Sequence, residues 1–111
     1  MKYEDILIEL NILIDRIDCL IDIMFVSTKE VIDLGNLNYE LNNVIDKLDR
    51  IIDSMDDSKE KIMLESAKFN VTFAVLDIID NVNIFDKINR LGLAKNTIID
   101  VKAKLYSDES D

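Results

Sequence analysis

The stretch that decides the fold is IDRIDCLIDIM at residues 14–24, which returns 31 residues later as IDKLDRIIDSM at residues 45–55. In both copies the apolar residues recur every three or four positions, the spacing of one face of an α-helix. Aspartates recur with the same spacing on the opposite face. Because 31 is not a multiple of seven, the copies are predicted to be two separate amphipathic helices with matching faces. Either an internal duplication or a shared composition rich in Ile, Leu, Asp and Lys explains the likeness.

Each of these helices carries a continuous apolar seam with steps of three and four residues. In the first helix the seam consists of Ile6, Leu10, Leu13, Ile17, Leu20 and Met24. In the second helix it is widened by Ile45 and Ile52 and consists of Leu34, Leu37, Leu41, Val44, Leu48, Ile51 and Met55. Heptad spacing of this kind predicts that the two helices pack side by side.

Two signals compete for the turn between these helices. The sequence Ser27-Thr28-Lys29-Glu30 is a capping box, which would start a helix there. Gly35-Asn36 is typical of a helix end followed by a new N-cap. We favour a first helix that ends at Gly35 and keep Ser27 as the alternative.

A third and a fourth helix follow. The capping box at residues 57–60 predicts the start of the third helix. Its seam consists of Leu64, Ala67, Val71, Ala74, Ile78, Val82 and Phe85. A second apolar row of Phe69, Phe73 and Leu76 predicts that the middle of this helix is the most buried part of the protein. Arg90-Leu91-Gly92-Leu93 predicts a glycine-terminated helix end. The last helix would then be short, with Ala94, Ile98, Val101 and Leu105 facing inwards.

The chain is therefore predicted to be all-α, a compact antiparallel bundle of about four helices, with three long helices and one short C-terminal helix. With 111 residues it is long enough for one domain with one core, which we place at residues 1–106. Residues 107–111 are expected to form a frayed acidic tail. The absence of proline and the presence of only two glycines agree with long helices and little loop.

Cysteine usage and hydropathy predict the compartment. The single cysteine, Cys19, cannot form an internal disulfide, so a reducing, cytoplasmic setting is expected. The N-terminus lacks the basic region and cleavage site of a signal peptide. Aspartates interrupt the longest apolar stretches, which fall short of a membrane span. A soluble protein that does not contact the membrane is expected.

The net charge of −10 is concentrated in the first half of the chain. Residues 1–57 contain 14 acids and 5 bases, whereas residues 58–111 contain 9 acids and 8 bases. Direct binding to nucleic acid requires a basic surface that neutralises phosphates, so it is not expected here. A protein partner with a basic surface is the natural complement.

The sequence does not contain a recognisable catalytic or metal-binding motif. Histidine, the commonest general base and transition-metal ligand, is absent. Cys19 lacks a neighbouring base that would activate it as a nucleophile. The aspartates lie outside the predicted core, whereas helical metal sites need carboxylates that project inwards. We expect no enzymatic activity, no cofactor and no metal.

Two aspartate rows are the candidate partner-binding residues. Both rows have the spacing i, i+3, i+7, which places each trio on one helix face opposite the seam. If the rows lay side by side, their charge density would approach that of duplex DNA, which suggests a nucleic-acid mimic. Arg16, Lys47 and Arg50 in the same segments would reduce that density, and a solvated helix face is the alternative. The six residues are Asp15, Asp18, Asp22, Asp46, Asp49 and Asp53.

The first helix also carries a second apolar stripe beside its aspartates. Either this helix is central and covered by the third and fourth helices, or the stripe is exposed and contacts another molecule. In the exposed case a twofold homodimer is the expected outcome. The stripe consists of Ile8, Ile12, Cys19, Ile23 and Val26.

Two functions agree with these observations. The first is an inhibitor of the general character of phage-encoded anti-CRISPR or toxin-immunity proteins, which would bind a partner and cover its basic, nucleic-acid-binding surface. The second is a homo-oligomeric assembly module whose acidity keeps it soluble. Charge-driven binding should weaken steeply with salt, whereas apolar self-association should barely respond.

Overall fold

The computed structural model describes residues 3–26, 34–75 and 84–110. They form four helices: α1 (Tyr3–Val26), α2 (Leu34–Ser54), α3 (Lys59–Ala74) and α4 (Ile84–Ser110). Helix α1 contacts α2 and α4, and α3 contacts the same two helices. In the described part no contact joins α1 to α3 or α2 to α4, so these pairs lie diagonally across the bundle. The predicted all-α four-helix bundle is confirmed.

The predicted seams form the core. All six seam residues of α1 are buried, and so are Leu37, Leu41, Val44, Leu48 and Ile51 of α2. In the first half of the predicted third helix, Leu64, Ala67, Val71 and Ala74 are buried too. The inward faces of α4 complete the core. The period of the apolar residues thus identified the buried face of each helix, because each helix packs against two neighbours.

Helices α3 and α4 run antiparallel, as the side-chain contacts between them show. Arg90 donates a hydrogen bond to Asn70, and the Lys104 ammonium lies 3.6 Å from the Met63 sulfur. Residue numbers therefore rise along α4 as they fall along α3.

Helix α3 begins where the sequence predicted. Ser58 is its N-cap, and the hydroxyl of Ser58 accepts a 3.1 Å hydrogen bond from the backbone N–H of Lys61. Such a bond satisfies one of the N–H groups that the first turn of a helix leaves without a partner.

The preferred prediction for the first turn, a helix that ends at Gly35, was wrong. Helix α1 is described as far as Val26, and Gly35 lies in the first turn of α2, so Gly35 does not end the first helix. A glycine is tolerated there because the next buried residue, Leu37, anchors the turn to the core. The alternative capping box at residues 27–30 lies outside the described residues.

The division between the last two helices also differs from the prediction. Helix α3 ends at Ala74, and α4 runs continuously through Gly92, so the C-terminal helix is the longest of the four and not a short one. The predicted positions Leu76, Ile78 and Val82 lie outside the described residues. Phe85, predicted to face the core at the end of the third helix, lies in α4 and is 56% exposed, so that prediction was wrong. Helix α4 extends to Ser110 and so includes most of the segment assigned to the tail.

Gly92 lies inside a helix and does not end one. It has neither the left-handed backbone conformation nor the close neighbour that would require a glycine at this position. Its φ is not in the left-handed region, and a Cβ added at Gly92 would meet no atom within 4 Å. Glycine inside a helix costs about 1 kcal/mol relative to alanine. Burial of Leu91, Ala94 and Ile98 on the same helix outweighs this cost.

The end of α3 is held by a side chain from α4. Val75 has an extended conformation, and its N–H donates to the carbonyl of Thr72. The Lys87 ammonium donates a 3.0 Å hydrogen bond to the carbonyl of Val75, and Lys87 is buried. A cation at a helix C-terminus also interacts favourably with the helix dipole.

Candidate partner-binding surfaces

Both predicted aspartate rows lie at the protein surface. Asp15 and Asp22 of α1 are exposed, as are Asp46 and Asp53 of α2. The middle residue of each row is only half-exposed, because it contacts a neighbouring helix. These middle residues are Asp18 and Asp49.

Each middle aspartate forms an ion pair with a lysine of α3 or α4, on the flank of its helix that faces away from the α1–α2 boundary. The Lys95 ammonium of α4 lies 2.7 Å from Asp18 Oδ1. Lys68 of α3 pairs with Asp49. The flank of α1 that carries Asp18 therefore faces α4, and the flank of α2 that carries Asp49 faces α3.

The pair between Lys68 and Asp49 changes the proton affinity of the lysine. The hydrogen bond to Asp49 raises the pKa of Lys68 above its ordinary value, and the negative charges of Asp49, Asp53 and Glu65 raise it further. This lysine stays protonated throughout the physiological range.

The boundary between α1 and α2 is marked by a different ion pair. Arg16 of α1 lies 3.6 Å from Glu40 of α2. At about 100° per residue, Ile12 and Ile23 lie on the same flank of α1 as Arg16, opposite the flank of Asp18. The two aspartate rows therefore border the α1–α2 face on its two sides and do not merge into one strip.

The apolar stripe of α1 is exposed. Ile8 is 58% exposed, Ile23 is 50% exposed and Val26 is 59% exposed, while Cys19 is also at the surface. Ile12 is partly covered, at 36%. Among the described helices α1 contacts α2 and α4, so α3 does not cover the stripe. The predicted cover by the third and fourth helices is therefore wrong, and the predicted contact with another molecule stays a prediction.

Charge is divided between two sides of the bundle. The segments of α1 and α2 contain ten acids and three bases, whereas those of α3 and α4 contain six acids and eight bases. The two acidic helices are neighbours, and so are the two helices with more bases than acids. The result is one strongly acidic side, α1–α2, and an opposite side, α3–α4, with a small excess of bases.

Sequence reasoning misassigned one surface. Phe69 and Phe73, predicted to be buried on α3, are 65% and 49% exposed. Arg90 of α4 lies over the Phe73 ring, 4.4 Å from its centroid. The second apolar row was visible in the sequence, but its burial required a third neighbouring helix that α3 lacks.

No protein-family model matches the chain, and no curated protein or solved structure is detectably similar to it. The chemistry of the surface is therefore the basis for a functional argument.

Within the described residues, neither the pockets nor the arrangement of acidic side chains indicates a ligand site. A shallow, open depression between α3 and α4 is lined by Lys59, Glu60, Ala103, Lys104 and Ser107. The described residues contain no group of three or more acidic or cysteine side chains placed to hold a metal ion. Among the helices described, none has the length and apolarity needed to cross a membrane.

Proposed function

We propose that this protein is a non-enzymatic binding protein that inhibits a partner by covering a basic, nucleic-acid-binding surface with its α1–α2 side. The separation of charge across the bundle is the observation that carries this proposal. Ten acids and three bases on two adjacent helices produce a directional negative field. Such a field attracts a basic partner at long range and orients it during encounter.

The apolar stripe of α1 would supply the affinity that surface charge alone does not. Charged residues at an interface contribute mainly to association rate and specificity, whereas buried apolar side chains contribute most of the affinity. Ile12 and Ile23 lie between the two aspartate rows and would form the centre of the contact. Asp15 and Asp22 would form part of its acidic rim.

Inhibition of this kind does not require an imitation of DNA. The aspartate rows border the face on two sides, so the charge spacing of a duplex is not reproduced. A bundle 48 Å long that occupies a basic groove would exclude nucleic acid from it by bulk and by charge. A nuclease, a CRISPR effector or a toxin that acts on nucleic acid offers a groove of this chemistry.

A homo-oligomeric assembly module formed through α1 is the second candidate, and the exposure of the stripe favours it. Charge opposes it. The α1 segment contains six acids and one base, so a symmetric α1–α1 contact would set like charges against each other. The same charges favour a basic partner.

The proposal is tested by neutralising acids on one side of the bundle at a time. The first variant combines Asp15→Asn, Asp22→Asn and Asp46→Asn, none of which belongs to an ion pair within the described residues. The matched control combines Glu65→Gln, Asp86→Asn and Asp100→Asn, which changes the net charge equally on the α3–α4 side.

Partners are captured from an extract of the native host at low salt, and their binding to nucleic acid is then measured with each variant added. We expect the wild type and the control to displace nucleic acid, and the first variant to require a clearly higher concentration because it has lost part of the charge that attracts the partner. High salt should slow association and weaken the binding in the same way. Equal inhibition by both variants would contradict the proposal.

A further inference from the structure

A row of exposed apolar side chains follows the outer face of α3. Ile62 is 67% exposed, Phe69 is 65% exposed, and Phe73, which has Arg90 over its ring, is 49% exposed. Ser66, also exposed, occupies the remaining position, so the row advances by four, three and four residues. It extends for roughly 16 Å at about 1.5 Å per residue. This is the spacing of a helix face that packs against another helix.

The row is self-complementary in the antiparallel direction. Its steps are symmetric about a midpoint between residues 67 and 68. When two α3 helices pair in opposite directions about this midpoint, Ile62 of one copy lies opposite Phe73 of the other, and Ser66 lies opposite Phe69. Each phenylalanine then meets a smaller side chain, and each contact occurs twice, as twofold symmetry requires.

The distribution of charge favours the same arrangement. The α3 segment contains two acids and three bases, whereas α1 contains six acids and one base. Pairing through α3 turns the acidic α1–α2 sides of two copies away from each other. Glu65 lies on one flank of the row, and Lys59 and Arg90 lie on the other. Because twofold symmetry places each flank against the same flank of the other copy, charge pairs do not hold the dimer together, and the uncharged row carries the contact.

The size of the face requires a contact that extends beyond the row. The side of the bundle that contains the row measures 48 by 20 Å, so burying the roughly 800 Å² per partner of a stable dimer needs a contact that continues over α4. Leu93 of α4, on the flank next to α3, would extend the apolar contact beyond the row itself.

We propose that two copies of this chain form an antiparallel twofold dimer through the outer face of α3, with Phe69 and Phe73 as its anchors. The dimer leaves both acidic α1–α2 sides on the outside. It does not depend on the proposed inhibitory function, and each can fail without the other.

The first test is the mass of the full chain in solution, measured by sedimentation velocity over a range of concentrations. We expect a dimer for the wild type. Phe69→Glu should weaken it by at least about 30-fold, as expected for loss of a central aromatic anchor. The matched control Ile12→Glu, on the α1 stripe, should remain dimeric.

Circular dichroism is used to check that both variants keep their helical content, as their exposed positions lead us to expect. A wild-type monomer at every concentration would overturn the proposal. So would a dimer that survives Phe69→Glu, or one that Ile12→Glu dissociates.

Disulfide trapping tests the register. In a Cys19→Ser background, chains with Ser66→Cys and chains with Ile62→Cys are oxidised separately, which leaves both phenylalanines in place. We expect Ser66→Cys chains to crosslink to themselves, because residue 66 and its copy lie only three residues apart along the paired helices, about 4.5 Å. Ile62→Cys chains should not crosslink, because residue 62 and its copy lie eleven residues apart, about 16 Å. A crosslink of Ile62→Cys chains would indicate parallel pairing, and no crosslink of Ser66→Cys chains would exclude the register. Either result overturns the proposed arrangement.

Discussion

Lys95 of α4 donates a 2.7 Å hydrogen bond to Asp18 of α1, 77 residues earlier in the chain. Together with the pair between Lys68 and Asp49, it joins an acidic helix to a neighbour with an excess of bases. These contacts divide each aspartate row into a structural middle residue and outer residues that face solvent. A partner would therefore meet the outer aspartates first.

Removing the carboxylate of Asp18 should lower the stability by a small but measurable amount. Asp18→Asn breaks a pair whose side chains are 27% and 50% exposed, so we expect a loss of up to about 1 kcal/mol in the free energy of unfolding. Asp15→Asn, which breaks no ion pair within the described residues, should have no effect or stabilise slightly by reducing the net negative charge. Urea denaturation of both variants measures the difference. An equal loss of stability in the two would contradict the assigned roles.

The heptad seam predicts a large difference in stability cost between substitutions at two adjacent residues of α1. Leu13 is fully buried, whereas Ile12 lies on the exposed stripe. We expect Leu13→Ala to lower the free energy of unfolding by about 2–5 kcal/mol, because it removes transfer energy and leaves a cavity. Ile12→Ala should cost clearly less, about 1–2 kcal/mol, because Ile12 is only partly covered. Similar losses in urea denaturation would mean that the stripe is covered in solution.

The buried faces were predictable because burial repeats with the helical period. All six seam residues of α1 lie in the core, and four predicted seam residues of α3 do as well. A helix that packs on two neighbours must place one apolar face inwards, and the sequence records that face directly. This part of the fold needs no information about distant contacts.

The ends of helices were less predictable, because distant residues contribute to them. The seam of α3 continues in the sequence beyond Val75, and neither glycine nor proline marks a break there. A contributor to the actual end is Lys87, whose ammonium binds the Val75 carbonyl from another helix. Gly92, the expected signal, lies within a continuous helix. A tertiary contact of this kind has no local pattern.

The candidate surfaces were predicted in part. The exposed stripe of α1 and the surface position of both aspartate rows follow from helical spacing. The relative placement of the rows does not, because it depends on which neighbour each flank faces. Likewise, Phe69 and Phe73 lie in a clear apolar row, but whether a row is core or interface depends on the number of neighbouring helices.

Gly92 provides a direct test of the continuous α4. In a helix interior with open space around the added methyl group, Gly92→Ala should stabilise the protein by about 0.5–1 kcal/mol. For a domain of this size such a gain corresponds to a rise in Tm of a few degrees. If the chain instead turned at Gly92 with a positive φ, the same substitution would destabilise it. Thermal unfolding followed by circular dichroism distinguishes the two signs.

The pair between Lys68 and Asp49 predicts a dependence of stability on alkaline pH. Because the pairing raises the pKa of Lys68 in the folded state, its contribution to stability is fully present below the ordinary lysine pKa. The contribution is lost as the pH rises through the raised pKa. The stability difference between the wild type and Asp49→Asn should therefore be constant around neutral pH and shrink at strongly alkaline pH.

NMR titration of the lysine side chains measures the cause directly. In Asp49→Asn the pKa of Lys68 should fall towards its ordinary value, since the first and largest cause of the rise is removed. Asp46→Asn, which neutralises a neighbouring aspartate of the same row but breaks no bond to Lys68, is the control and should change the pKa far less. An equal shift in the two variants would indicate that the general negative field of the row raises the pKa of Lys68, and not the specific contact with Asp49.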